Sequence, residues 1–355
     1  MKTKTSGRGA LSNHEGRFAN VTHERENGER DEEPTGFPTE LHVDASRTVI
    51  ARNDSPDVPF SQSLNPYRGC EHGCIYCYAR TTHAYLDLSP GRDFETQIFY
   101  KPDARNLLRA ELAHRSYVMS PLALGTNTDP YQPVERRLGI TRGVLELLLE
   151  LRHPVTIVTK GALILRDLDL LSALAERGLV AVTVSLTTLD DELKRRMEPR
   201  TAGPDRRLHM IGELSRSGIP TGVLTAPIIP GLNDHELERM LELAAARGAQ
   251  SAGYVLLRLP HEVEHLFVEW LEAHYPDRSR HVQSLLKQMR KGSLNDGRFH
   301  KRHRGTGPFA ALLEARFRRA CERHGLNRPA VLNTGLFRKP QLPGGQLDLW
   351  SAEPP

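Results

Sequence analysis

The sequence predicts an α/β fold arranged as a partial, open (β/α)6 barrel. Three observations carry that prediction. From about Ser116 onward, short β-rich runs alternate with amphipathic helical stretches, the pattern of βαβ units around a parallel sheet. Several of the helical stretches are followed by Gly178, Gly218 or Gly248, the residue type that ends helices in a left-handed turn. A further strand before Cys70 brings the βα units to six, short of the eight of a closed barrel.

In chain order the predicted strands are Tyr117–Leu124, Val155–Lys160, Val180–Leu186, Gly222–Ile229 and Gly253–Leu259. The helical patterns between them are Gly143–Leu151, Leu168–Arg177, Arg207–Arg216 and Glu236–Arg247. In such folds chemistry collects on loops at the C-terminal ends of strands. Those loops carry Cys70 to Cys77, Thr126 to Pro133, Lys160, Thr187 with Thr188, and Pro230 to Asn233.

Around this frame, residues 1–45 read as a largely disordered extension, with a charged run from Glu24 to Glu33 and almost no apolar periodicity. Residues 46–275 read as the barrel, 276–340 as a basic helical extension and 341–355 as a flexible tail. At 355 residues, 38% hydrophobic and 26% charged, the chain has the composition of a soluble globular protein with a substantial core. No apolar run reaches the roughly 18 residues of a membrane span, and Met1 to Asn20 is polar, so no membrane partner and a cytoplasmic location are expected.

Three of the four cysteines lie within the span Cys70 to Cys77, which suits a metal site in a reducing compartment better than a disulfide framework. They stand in Asn65-Pro66-Tyr67-Arg68-Gly69-Cys70-Glu71-His72-Gly73-Cys74-Ile75-Tyr76-Cys77-Tyr78, a C-x3-C-x2-C spacing. Three thiolates on one loop can ligate three irons of a 4Fe-4S cubane and leave the fourth open. A structural zinc site with His72 or His83 as fourth ligand is the competing reading. A c-type haem site would need histidine directly after Cys77, where Tyr78 stands. Cys321 falls on the stripe Phe309, Leu313, Phe317, Cys321 of a helical run and reads as a packed core thiol.

With Tyr76 before the third cysteine, the motif resembles the C-x3-C-x-aromatic-C signature of the radical S-adenosylmethionine (SAM) superfamily. The resemblance implies a 4Fe-4S cluster on Cys70, Cys74 and Cys77, SAM on the open iron, a reductant, and cleavage of SAM to a 5'-deoxyadenosyl radical. More narrowly, the chain resembles the group related to spore photoproduct lyase, often labelled "DNA repair photolyase". The resembling segments are Asn65 to Tyr85, Gly125 to Pro133, Val158 to Lys160, Val184 to Asp190 and Ala226 to Asn233. By position, the resemblance implies SAM contacts at Tyr76 near the adenine, Thr128 and Asp129 near the methionine part, and Lys160 and Ser185 near the carboxylate and ribose.

Glu198-Pro199-Arg200 adds a candidate, because Arg200 can grip a carboxylate in a bidentate way and Glu198 can accept from a ribose or substrate, a structural ion pair at a turn being the alternative. One place departs from the lyase, whose donor cysteine is matched here by Thr126. An O–H bond is far stronger than an S–H bond, so a hydroxyl there does not replace that donor.

Charge and tail point to partners. Between Arg278 and Lys339 stand sixteen Lys or Arg against three acids, Asp296, Glu314 and Glu322. Such a block is either a nucleic-acid docking surface or a solvated helical face. Gln346-Leu347-Asp348-Leu349-Trp350 resembles the short peptide that docks bacterial DNA-metabolism proteins on the sliding clamp, the alternative being an apolar tail folded back on the protein. The expected function is therefore a radical SAM enzyme acting on nucleic acid. The alternatives are an enzyme of that kind modifying a protein or small molecule, or a non-catalytic Fe-S protein.

Overall fold

A computed structural model describes residues 8–18 and 37–341. Its strands are β1 (Glu40–Val43), β2 (Ile50–Arg52), β3 (Gln62–Leu64), β4 (Tyr67–Arg68), β5 (Gln97–Tyr100), β6 (Leu122–Leu124), β7 (Val155–Thr159), β8 (Val180–Ser185), β9 (Thr221–Ile228) and β10 (Ser251–Leu256). The main sheet runs β10-β9-β8-β7-β6-β3-β2, and every neighbouring pair is parallel except the outer β2–β3 pair. β3 and β6 to β10 are thus the six parallel strands of the partial barrel. A small sheet, β1-β5-β4, stands beside it and leads into the cysteine loop.

The sheet forms because its strands present apolar side chains that helices cover. Val180, Val182 and Val184 of β8 are buried, as are Val144, Leu145, Leu147 and Leu148 on the helix Ile140–Glu150. Along β8 these buried valines alternate with the half-buried Ala181 and Thr183, and a covered strand face favours such β-branched residues. The predicted helix stops hold: Gly178, Gly218 and Gly248 all adopt positive φ, between 65° and 95°.

Two expectations are corrected. The strand expected over Tyr117–Leu124 shrinks to Leu122–Leu124, because Pro121 has no N–H to give the ladder and Val118 is 69% exposed. Within the extension expected to be largely disordered, residues 8–18 are placed and held. Arg8 donates to the Glu95 carbonyl at 2.7 Å and to the Phe37 carbonyl at 2.6 Å, and Arg17 pairs with Glu262. Residues 40–43 of the same extension form β1, paired with β5. Several hydrogen bonds from residues 8–17 and the β1–β5 ladder, rather than apolar periodicity, hold these segments.

The basic extension contributes the helices Pro276–Met289 and Pro308–His324, with irregular chain between them. The second helix packs on the outer strand, Phe317 lying 4.7 Å from Tyr254 between ring centroids. Cys321 is a buried core thiol there. The clamp-like peptide at 346–350 lies outside the described residues. Among the described residues no helix is long and apolar enough to cross a membrane.

Candidate active site

The cysteine loop follows β4 and ends in the 3-10 helix Tyr78–Leu86. It is wound tightly. Gly73 has φ 65°, and a Cβ there would lie 2.7 Å from Glu95 Oε2, so the position tolerates only glycine. Backbone bonds tie the loop outward, from Cys70 N to the Phe94 carbonyl at 2.9 Å and from Ile75 N to the Met197 carbonyl at 3.1 Å. Arg80, fully buried, donates to the carbonyls of Cys74 (2.9 Å), Pro90 (3.0 Å) and Gly91 (2.7 Å) and pairs with the buried Glu95.

Cys70, Cys74 and Cys77 are free thiols, the first two buried and the third half-buried. Burial pushes all three up, Cys74 to about 12, with the Glu198 carboxylate adding to the effect at Cys74. An adjacent metal reverses that preference, since a coordinating thiol is deprotonated. The residues fit a cluster better than a single zinc ion. His72 Nδ1 lies 3.3 Å from Asp129 Oδ2 and His83 Nε2 lies 3.0 Å from the Gln97 carbonyl, so one ring nitrogen of each candidate fourth ligand is engaged, while His83 Nδ1 has no partner. Among the described residues no three Cys, His, Asp or Glu side chains converge on one ion position. A cubane needs no such convergence, because each thiolate holds its own iron.

Beside this loop the chain leaving β6 forms a brace. Thr128 Oγ1 donates to the Gly69 carbonyl at 2.7 Å and accepts from Gln132 Nε2 at 3.0 Å, while Gln132 Oε1 accepts the Glu71 N–H at 2.8 Å. Asp129 accepts from Thr159 Oγ1 (2.6 Å), Lys160 N (2.8 Å) and Tyr131 N (2.9 Å), with His72 as a further neighbour. Burial opposes its charge, but His72 and these donors outweigh it and hold the carboxyl well below the ordinary range. Thr128 and Asp129 thus connect the ends of β6 and β7 to the cysteine loop.

A second buried network sits on the other side of Tyr76. Its hydroxyl donates to Glu198, which also accepts from Thr187 Oγ1 at 2.7 Å and pairs with Arg207. Arg207, fully buried, reaches the Ser185 carbonyl at 3.1 Å and Thr201 Oγ1 at 2.6 Å. Burial would raise Glu198, and the Arg207 and Lys160 cations overcome it to hold the carboxyl at about 2. Lys160 Nζ stands 5.9 Å from the Tyr76 ring centroid, close enough for a cation–π contact. Arg200 Nη1 lies 3.2 Å from Glu71 Oε1, and its N–H reaches the His72 carbonyl.

Cys70, Cys74, Cys77, Tyr76, Thr128, Asp129, Lys160, Ser185 and Arg200 therefore gather on one rim, the cysteine loop and the C-terminal ends of β6 to β8. Sequence reasoning missed Arg80, Glu95, Gln132 and Arg207. Arg207 opens a predicted helix, where an arginine normally reads as solvated, and its partner Glu198 lies nine positions away in sequence, beyond the reach of local periodicity. Thr126 is also on the rim, its hydroxyl sharing hydrogen bonds with Asn65 and its carbonyl accepting from the Tyr78 hydroxyl.

The chain is 39% identical over 233 residues to an uncharacterized protein of Mycobacterium tuberculosis, covering 65% of this chain and 68% of that one. It is 24% identical over 233 residues to a radical SAM Nalpha-GlyT isomerase of Pseudomonas phage M6, covering 64% of this chain and 44% of the isomerase. A variant of spore photoproduct lyase shares the fold with a TM-score of 0.57 at 17% identity, over 82% of each chain. The lyase complexed with dinucleoside spore photoproduct gives a TM-score of 0.55 at 19% identity, over 80% of this chain and 79% of that one. The profile of the radical SAM superfamily matches residues 64–244, from the last residue of β3 into the helix Leu237–Ala246, which is the span that builds the rim. The chain belongs to the radical SAM superfamily of enzymes.

Proposed function

We propose that the enzyme uses a 4Fe-4S cluster on Cys70, Cys74 and Cys77 to cleave SAM, and that its substrate is a nucleic acid. The observation that carries the first half is the locked loop of three thiols, Cys70, Cys74 and Cys77, none of them in a disulfide. When bound, the cluster and SAM supply one-electron cleavage of the sulfonium and a 5'-deoxyadenosyl radical.

The protein's share is orientation and exclusion of water. Lys160 supplies an ammonium on the rim for the carboxylate of SAM, Tyr76 a ring face for the adenine, and Ser185 and Arg200 are the further candidates for ribose and carboxylate contacts. Thr128 and Asp129 serve chiefly as positioning residues, since their polar atoms already bond the cysteine loop and the β7 end. Arg80 and Glu95 hold the loop from behind.

The nucleic-acid half rests on charge. Of the sixteen basic residues from Arg278 to Lys339, Arg298, Arg302 and Arg316 pair with carboxylates and Arg290 is buried. The remaining twelve have no carboxylate within ion-pair reach among the described residues, a surface suited to phosphate backbone. The hydroxyl of Thr126, where the lyase has its donor cysteine, argues against thymine-dimer repair by the lyase's route.

The test is anaerobic reconstitution with iron and sulfide, reduction, and assay of 5'-deoxyadenosine with and without DNA or RNA. Production of 5'-deoxyadenosine is expected, and a reduced cluster that never forms it overturns the catalytic half. Oligonucleotide binding that weakens as salt rises is expected for the other half, and its absence removes the nucleic-acid substrate.

A further inference from the structure

Arg258 follows β10 by two residues and is unlike the other arginines of the rim. Arg80 ends on Glu95 and Arg207 on Glu198, each a buried ion pair. Arg258 is half-buried, its Nε has no hydrogen-bond partner, and no carboxylate lies within ion-pair reach of it among the described residues. Its Nη1 stands 3.1 Å from His303 Nε2, and its guanidinium carbon lies 5.8 Å from the Tyr78 ring centroid. Tyr78 is the residue after Cys77 and donates to the Thr126 carbonyl, so Arg258 faces the rim beside the cysteine loop.

The surroundings hold this cation in place without neutralising it. Arg290, fully buried, donates to the Leu257 carbonyl at 2.5 Å and to the Arg302 carbonyl at 3.0 Å, fixing the chain on both sides of the site. Arg302 points its own guanidinium at Asp57 and Ser55. Asp57 is thus already paired, and Asp296 is taken by Arg298. Arg258, Arg290 and Arg302 share the neighbourhood with two carboxylates, Asp57 and Asp296, each already paired. His303 adds no negative charge, since burial and then Arg258 and Arg302 depress it to about 4 and leave it neutral at pH 7. A half-buried guanidinium with an unmet donor is unfavourable unless an anion completes it.

We infer that Arg258, steadied by His303 and by the backbone that Arg290 braces, is a phosphate-binding site that takes a phosphodiester of the substrate at the mouth of the cysteine loop. The inference rests on the nucleic-acid reading above for the source of the phosphate, and on Arg258's own surroundings for the site. A guanidinium grips phosphate through two parallel hydrogen bonds, which fixes orientation as well as distance, and the nucleoside next to that phosphate would be directed toward Tyr78 and Thr126.

The experiment uses the full chain, with Arg258→Gln, Arg258→Lys and, as an exposed control from the same basic region, Lys287→Gln. Two probes are read: thermal stabilisation by inorganic phosphate against chloride at equal ionic strength, and affinity for a fluorescent oligonucleotide across a salt series. In chloride, Arg258→Gln is expected to melt no lower than the wild type, because it removes an uncompensated charge; an arginine with a purely structural role would lower the melting temperature. Phosphate stabilisation is expected to vanish in Arg258→Gln and persist in Lys287→Gln. Oligonucleotide affinity is expected to fall roughly ten- to a hundredfold in Arg258→Gln, with partial recovery in Arg258→Lys. Phosphate stabilisation that is absent from the wild type, or unchanged in Arg258→Gln, overturns the site. If stabilisation depends on Arg258 but no oligonucleotide binds, the site stands and the nucleic-acid reading falls. If oligonucleotides bind equally well without Arg258, that reading stands and the site falls.

Discussion

Arg80 and Glu95 meet as an ion pair in which neither side chain is exposed to water. The same carboxylate accepts the N–H groups of Gly9 and Ala10, each at 2.9 Å, while Arg80 grips the Cys74 carbonyl. One buried pair therefore clamps the cysteine loop and the segment 8–18 together, although 85 and 86 residues of chain separate Glu95 from its two N-terminal donors.

Glu95→Ala should accordingly be among the most damaging single changes. Removing one partner of a buried pair costs about 3–5 kcal/mol, far beyond an ordinary surface change. Urea unfolding would measure the loss, and limited proteolysis would show cleavage within residues 8–18. Gly9→Ala isolates the second effect, because a Cβ at Gly9 would fall 1.8 Å from the Gly73 carbonyl oxygen. It should release the segment and leave the Arg80 pair in place. Protease resistance equal to the wild type in both variants contradicts the clamp.

The four cysteines should divide three to one. Alanine at Cys70, Cys74 or Cys77 should abolish iron retention after anaerobic reconstitution and with it 5'-deoxyadenosine formation. Cys321→Ala should keep both, losing roughly 1 kcal/mol of stability from a slightly emptied core. Iron content and absorbance of the reconstituted proteins decide the matter, and iron lost from Cys321→Ala would require a role for that thiol that its core position does not supply.

Acid should weaken the approach to the cysteine loop at Asp44. Burial alone would raise this carboxyl, but Lys101 and the Ser46 hydroxyl and N–H overcome it and hold it at about 2. Asp44 also takes Arg68 at 2.9 Å, two residues before Cys70. A carboxyl depressed in the folded state gives stability that is fully present above the unfolded value, near 3.9, and lost as pH falls toward 2. The loss through that window is about 2 kcal/mol at most, and smaller in net terms because burial holds the Lys101 ammonium below its own ordinary value. Urea midpoints at pH 6, 4 and 3 should fall more steeply for the wild type than for Asp44→Asn, and parallel curves would contradict the assignment.

The six parallel strands and the cysteine loop were legible because each is a local signal: alternating periodicities, glycine stops and a close cysteine spacing. What the sequence hid is long-range and polar. Arg80 and Arg207 are charged residues that look like surface, and their burial depends on Glu95 and Glu198, which are themselves charged. Neither partner of such a pair betrays the other through hydropathy. The rim residues were placed by resemblance, and the structure adds that several of them are bonded to one another.

Asp129 and Lys160 illustrate the difference and can be separated. Asp129→Asn keeps an oxygen for Thr159 and Tyr131 but turns an amide nitrogen toward the Lys160 N–H, leaving a buried donor unmet at a cost of about 1–3 kcal/mol. If Asp129 works by holding the β7 end against the cysteine loop through His72, this variant should lose iron and SAM binding together. Lys160→Met leaves the backbone N–H on Asp129 and removes only the ammonium, so it should retain iron and weaken SAM alone. Iron per chain and SAM affinity by equilibrium dialysis give the two readouts. Full iron in Asp129→Asn with SAM binding lost would make Asp129 a direct contact instead, and iron lost from Lys160→Met would place the ammonium in the support of the loop.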